Sequence, residues 1–424
     1  MQSIENELER KGNAAKAASR KLAFLPTAIK DRALTAISDA IIQRQSEILA
    51  ANEKDYKEAE ASGMNAAMLD RLMLSSSRLE AIAQDVKTVA SLPDPVGEII
   101  EDRKLPNGLQ LSKRRVPLGV IGAIYESRPN VTVDISVLCL KSGNAVILRG
   151  GKEALHSNLM LAGIVQDAAY GNGIPQGAVQ CIESTERTII EQMLKMKGTI
   201  DLIIPRGGSG LIKFVADNAT MPVLTGGIGV CHTYIDNSAV LEKARAIVFN
   251  AKVQRPTVCN ALDTVLIHKD VAKQYLPSIA EELGKADVEM HCDERALEII
   301  KSASSLNVKA ATDEDWGKEF LALIAAIKVV DSIDEAIDHI AQYGSGHSEA
   351  IVAQDSDSIE RFLNEVDAAC VYANASTRFT DGSQFGMGAE IGISTQKFHA
   401  RGPLALKELT SYKWVIVGDG QVRP

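Results

Sequence analysis

The sequence contains no Cys-x-x-Cys pair. Its six cysteines, Cys139, Cys181, Cys231, Cys259, Cys292 and Cys370, are widely scattered. That spacing suits neither a zinc site nor a disulfide framework and fits a reducing cytosol, so a cytoplasmic location and no bound metal are expected. No apolar run reaches the roughly 18 residues of a membrane span. The opening stretch, Met1 to Leu22, mixes Glu with Lys and Arg and lacks the apolar centre of a signal peptide. Positive charge is not in excess either. A net charge of −9 argues against nucleic acid or an anionic membrane as the main partner. No G-x-G-x-x-G follows a strand-like run, which removes the ordinary dinucleotide fingerprint. The missing G-x-S-x-G elbow and P-loop weaken the hydrolase and kinase readings. His339 and His347 flank a Tyr-Gly-Ser-Gly turn, too far apart for one helix face and without an acidic third ligand, and His232 reads as structural.

What is present is ordinary globular material: 424 residues, 46% hydrophobic and 24% charged, enough for two or three domains. Residues up to about 90 read as helical. Leu34, Ile37, Ile41 and Ile48 recur at helical spacing, and Ser77, Arg78 and Glu80 lie in the polar opening of a further helix. Residues 97–119 place two strand-like arms around Asn107-Gly108, a strong hairpin signal. Such a hairpin serves either an oligomer contact or a plain surface turn. From Gly119 strand and helix patterns alternate. "GVIGAIY", "AVILRG", "AVQCI", "TIDLIIP" and "MPVLTGG" are strand-like, with a helix near 131–142 stopped by Gly143, and a first parallel sheet is expected to run to about residue 235. A second α/β set includes "NALDTVLIH", "LIAAIKVV", "EAIVAQ" and "DAACVYAN", and "SYKWVIVGDGQ" reads as a last strand leaving the main body. The expected organisation is an α/β protein of two doubly wound domains, 1–235 and 236–400, with a C-terminal return and strand over 401–424.

Three loops carry candidate chemistry. In "NAKVQRPTVCNALDTVLIH", Cys259 sits in a polar loop broken by Pro256, next to Arg255, and leads into a β-branched strand. A structural thiol is usually surrounded by apolar residues. This one is either a nucleophile or a half-buried bystander. In "IIPRGGSGLIKF", a strand ends at Pro205 and Gly207, Gly208 and Gly210, with Ser209 among them, allow the backbone to approach a ligand before a helix begins, an arrangement that suits a phosphate or is a plain glycine turn. In "ILRGGKEA", Arg149 and Lys152 follow another strand and read as a phosphate site or a solvated face.

Taken together and in this order, the motifs resemble the aldehyde dehydrogenase superfamily over nearly the whole chain. "PLGVIGAIYESRPN", "SGNAVILRGGKEA", "GNGIPQGAVQCI", the Cys259 segment, "KEFLALIAAIKVV" and "FGMGAEIGISTQK" each look like one of its conserved segments. Within it, "VDSIDEAIDHIAQYGSGHSEAI" is similar to the signature of the glutamate-5-semialdehyde dehydrogenase (γ-glutamyl phosphate reductase) family, as are "YESRPNVTVD" and "QKFHARGPLALKELTSYKW". The resemblance implies Cys259 as a covalent nucleophile that attacks L-glutamyl 5-phosphate. The oxyanion is then held by its own N–H and by the Ser127–Asn130 loop, with Asn130 as the named side chain. It implies a cofactor site at Arg149, Lys152, Gly207, Gly208, Ser209 and Glu319. Lys152 falls where NAD-preferring members carry a ribose-binding Glu, which favours NADPH/NADP. Leu224 falls where hydrolytic members carry a water-activating Glu, so a thioester is spared from hydrolysis. A coenzyme-A-acylating enzyme also dispenses with that Glu and is the rival expectation. Arg401 is the candidate for the substrate carboxylate. The implied partners are a second copy of the chain, contacted through the hairpin and C-terminal strand pairing across subunits, and the upstream glutamate kinase.

Overall fold

The computed structural model describes residues 2–300 and 306–423, and the chain divides into two compact units. The first contains residues 1–226, 386–392 and 403–424; the second contains 227–385 and 393–402.

The first unit begins with five helices, α1 (Gln2–Leu22), α2 (Thr27–Gln43), α3 (Gln45–Ala61), α4 (Ala66–Leu72) and α5 (Ser76–Ser91). Leu34, Ile37, Ile41 and Ile48 are all fully buried, as their spacing requires. The hairpin follows as β1 (Ile99–Lys104) and β2 (Gln110–Pro117), turning at Gly108, whose φ of 88° is costly for any residue with a side chain. Four parallel strands then form, β3 (Val120–Tyr125), β4 (Ala145–Gly150), β5 (Val179–Cys181) and β6 (Leu202–Arg206), in the order β5-β4-β3-β6. Helices α6 (Asn130–Lys141), α7 (Leu155–Gly171), α8 (Thr188–Met193) and α9 (Ser209–Asn218) complete the crossovers. All of β3 is buried, the pattern of a parallel strand covered on both faces. Pro205 is tolerated because β6 lies at the sheet's edge. The expected "MPVLTGG" strand contributes only an isolated bridge, Val223 to Ile203.

The second unit holds seven parallel strands: β7 (Cys231–Ile235), β8 (Leu262–His268), β9 (Glu289–Cys292), β10 (Val308–Ala310), β11 (Ile324–Val330), β12 (Ser348–Val352) and β13 (Cys370–Ala373). Their order is β10-β9-β11-β8-β7-β12-β13. Helices α10 (Leu241–Val253), α11 (Lys269–Gly284), α12 (Glu294–Ile300), α13 (Ile333–Tyr343) and α14 (Ser356–Glu365) connect them. The segment Cys231–Ile235, expected to close the first sheet, instead stands near the centre of the second. Every residue in it is buried, so it requires neighbours on both sides, here β8 and β12. Sequence reading missed the short strands β9 and β10: the alternation in β9 spans only Glu289 to Cys292, and β10 has three residues.

The C-terminal strand, Thr410–Val417, pairs antiparallel with β2 of its own chain, from Thr410 opposite Pro117 to Val417 opposite Gln110. This corrects the expectation that hairpin and C-terminal strand pair across subunits. The β2 edge is satisfied within the chain, and the arm's free edges are β1 and the C-terminal strand.

Candidate active site

In the first unit, the order β5-β4-β3-β6 reverses between β3 and β6, and open parallel sheets take ligands at the carboxyl ends beside such a reversal. There the Glu126 N–H donates to Arg206 O at 3.0 Å, and the Gly208 N–H donates to the Glu126 carboxylate at 2.9 Å. A side chain at Gly207 would lie 2.3 Å from that carboxylate. The mouth of α9 therefore accepts an anion, and Glu126 fills that role internally. Ser127, at φ 39°, is held by Glu153, which accepts both its N–H and its hydroxyl at 2.7 Å. Arg149 ends β4 almost buried. Its guanidinium donates to Gly150 O and Thr185 O, while its Nε is buried without a partner. Burial lowers its pKa, with Arg187 adding to the effect and Glu153 and Glu126 opposing it. Lys152 is exposed on the following turn. Arg187, exposed before α8, is a further cation here that sequence reading missed, because it stands far along the chain in a polar loop. Asn130 opens α6 and donates its carboxamide to Asp134 at 2.8 Å. Leu224 is buried.

The second site is laid out at the opposite end of its sheet. Cys259 stands just before β8, so the relevant edge is the amino end of the strands. Gly229, just before β7, lies so close that a side chain there would come within 1.6 Å of Cys259 O. The Gly229 N–H donates to Glu319 Oε1 at 2.9 Å, which brings Glu319 beside the Cys259 loop. Asp263, in β8 just beyond the loop, accepts from the N–H groups of Phe320 (3.1 Å) and Cys231 (3.4 Å) and lies 3.6 Å from the buried Lys252. Burial raises the pKa of Asp263 to about 6, against the pull of Lys252.

The signature stretch surrounds this edge. Ser345 accepts from the Val230 N–H at 2.9 Å, and Cys231 Sγ donates to Cys259 O at 3.3 Å with His347 Nδ1 4.0 Å away. His232 is fully buried against Glu349, with 3.0 Å between Nδ1 and the carboxylate. Burial lowers the pKa of His347 to about 4 and that of His339 to about 3, and His232 adds to the second shift. Arg401 reaches the same edge, its Nη2 beside Gly346, but its guanidinium is paired with Asp367 at 2.6 Å. Arg378, far from Cys259 in sequence, approaches it instead. Its Nη1 donates to Asn260 Oδ1, and its Nε donates to Gln254 at 2.8 Å. Nothing in the spacing signalled this, since Asn260 and Arg378 are 118 positions apart.

The aldehyde dehydrogenase family model matches residues 2–309.

The chain belongs to the aldehyde dehydrogenase family.

Within that family the chain is 60% identical over 417 residues to a γ-glutamyl phosphate reductase of Dehalococcoides mccartyi, covering 98% of each chain. It is 55% identical to one from Caldanaerobacter subterraneus subsp. tengcongensis, over 98% of this chain and 100% of the relative. The crystal structure of γ-glutamyl phosphate reductase from Thermotoga maritima superposes with a TM-score of 0.96 at 47% identity, covering 99% of this chain and 100% of that one. An acetylating aldehyde dehydrogenase from Geobacillus thermoglucosidasius shares the fold, with a TM-score of 0.70 at 20% identity. The aldehyde dehydrogenase fold is thereby established, and the chain is an oxidoreductase of the family's γ-glutamyl phosphate reductase branch.

Proposed function

We propose that the chain reduces L-glutamyl 5-phosphate to L-glutamate 5-semialdehyde with NADPH, releasing inorganic phosphate, as the second step of proline synthesis from glutamate. The observation that carries this reading is full-length likeness, at 60% identity, to a chain named for that reaction. The setting of Cys259 supports it. The thiolate of Cys259 attacks the acyl carbon. The C–O bond to phosphate breaks, phosphate leaves with the electron pair, and the acyl group remains on Sγ as a thioester. The Cys259 N–H stabilises the oxyanion of each tetrahedral stage, with Asn130 as the proposed second donor. NADPH, when bound, supplies the hydride that takes the acyl group to the aldehyde level. The hemithioacetal then collapses, freeing the aldehyde and restoring the thiolate. Leu224 offers no base to activate water, which preserves the thioester.

The first unit's residues fit such a cofactor. The unpartnered Nε of Arg149 is the kind of group a phosphorylated nucleotide uses, and a pyrophosphate would reach the mouth of α9 by displacing the Glu126 carboxylate. Arg149 and Lys152 are assigned to the 2′-phosphate, Gly207, Gly208 and Ser209 to the pyrophosphate, and Glu319 to the nicotinamide-side ribose. A homo-oligomer joined through the arm, and association with the glutamate kinase that makes the labile acyl phosphate, complete the proposal.

The test runs the reaction backwards. With L-glutamate 5-semialdehyde, NADP⁺ reduction should require inorganic phosphate and be indifferent to coenzyme A. Reduction that depends on coenzyme A instead would establish the acylating rival.

A further inference from the structure

A closed circuit of contacts surrounds the nucleophile within the second unit. Cys231 Sγ donates to Cys259 O and faces His347 Nδ1. His347 bonds Ser348 Oγ at 2.8 Å, and Ser348 Oγ bonds Thr380 Oγ1 at 2.7 Å. Tyr372 bonds the same Thr380 hydroxyl at 2.7 Å. From Thr380 the circuit returns to the residue after the nucleophile, because Asn260 donates its carboxamide to Thr380 O at 2.9 Å. The Thr377 hydroxyl donates to Asn260 O at 2.7 Å, so both the side chain and the carbonyl of Asn260 are held by the turn at 377–380. That turn carries Arg378, which is half-buried and fixed at two points, Asn260 and Gln254, on either side of Cys259 in sequence.

We propose that Arg378 is a positioning residue that supplies the fixed positive charge beside Cys259, holding its sulfur as the thiolate. This rests on the reading of Cys259 as the nucleophile. A cation near a thiol favours the ionised form, and the contacts to Asn260 and Gln254 keep this one beside Cys259. Arg255, the nearest cation in sequence, is exposed and therefore screened. Among the described residues, the other charged or titratable groups at this edge include Asp381 beside Arg378, Glu319 across Gly229, Arg401 with Asp367 near Gly346, and Cys231 with Asp263, Lys252, His347 and Glu349 behind it. Burial lowers the pKa of Arg378 and Arg255 lowers it further, whereas Asp381, Cys259 and Cys231 oppose that shift. Arg378 and the Cys259 sulfur therefore stabilise each other's charged forms.

The test is the pH dependence of iodoacetamide alkylation at Cys259, resolved from the other thiols by peptide mass spectrometry, in wild type, Arg378→Gln, Arg378→Lys and Arg255→Ala. Glutamine still reaches Asn260 but has no charge, so the alkylation midpoint should rise by about one pH unit. Lysine keeps the charge and should move it by less than about half a unit. Arg255→Ala should leave it within about 0.3 unit, as expected for an exposed, screened charge. An unmoved midpoint in Arg378→Gln overturns the proposal. So does a full-unit rise in Arg378→Lys, which stands as an independent test if the glutamine variant does not fold. A shift found in Arg255→Ala instead would transfer the role to Arg255 and overturn it too. The nucleophile reading is judged separately: wild-type protein fully alkylated at Cys259 that still reduces NADP⁺ would overturn that reading, whatever the midpoints do.

Discussion

Gly229 has no room for a side chain, because even a methyl group there would collide with the carbonyl of Cys259. Gly229→Ala should therefore push the Cys259 loop out of position. Such overpacking costs about 1–3 kcal/mol, and thermal melts together with turnover should show loss of both stability and activity; full activity with an unchanged melting temperature would contradict the tight approach. Cofactor choice belongs to the same scale. A charge-assisted bond to a phosphate is worth about 1.5–3 kcal/mol, so removing one should weaken NADPH roughly ten- to a hundredfold and leave NADH nearly untouched. Lys152→Glu should narrow or invert the preference, read as Michaelis constants for both cofactors, whereas a ratio unchanged within about twofold would return Lys152 to the role of solvated surface. Titration gives a third expectation. Burial raises the pKa of Asp134 to about 7, so in the fold it binds a proton that the unfolded chain, with its carboxyl near 3.8, has already lost. Its effect is to lower stability as pH rises from about 4 to 7. His339 and His347, held neutral, act with the opposite sign: their contribution is complete above the ordinary histidine range and is lost as pH falls towards about 4 and then 3. The difference between Asp134→Asn and wild type isolates the carboxyl. The variant should gain up to about 1.4 kcal/mol per pH unit across that window, and a pH-independent difference in melting would count against the shift.

At the scale of elements, helices and long buried strands were legible because their signals are local. The spacing of Leu34, Ile37, Ile41 and Ile48, the stop at Gly143 and the turn at Asn107-Gly108 each follow from a neighbour or two along the chain. The misplacement of Cys231–Ile235 has a different cause. A fully buried strand reads the same in either sheet, and only its partners decide which one it joins. The partner of the C-terminal strand was equally invisible, since an antiparallel edge offers no local label for the chain that will occupy it. The resulting arm exposes Ile99, Ile100, Tyr412, Trp414, Ile416 and Val417. Apolar exposure on open strand edges favours association. Deleting residues 411–424 should shift the mass measured by light scattering towards that of a monomer, and an unchanged mass would remove the arm from the oligomer contact.

For the whole molecule, the sequence was informative about parts and silent about assembly. Cys259 could be singled out as the candidate nucleophile because a cysteine among Gln254, Arg255, Pro256 and Asn260 is out of character for a buried thiol. The Arg378 clamp could not, because it closes across 118 positions. The two units also place their candidate sites at opposite ends of their sheets, the carboxyl ends near β3 and β6 and the amino ends near β7 and β8. A rule that looks only beyond the carboxyl ends would find the first site and overlook the second. The central claim, that turnover passes through a thioester on Cys259 which phosphate alone resolves, has a direct kinetic signature. Wild-type protein given L-glutamate 5-semialdehyde and NADP⁺ without phosphate should form about one equivalent of NADPH per chain in a rapid burst and then nearly stop, as expected for an accumulating acyl-enzyme. Adding phosphate should restore steady turnover, and Cys259→Ser should show neither phase. A steady rate without phosphate, or a burst in Cys259→Ser, would contradict the account.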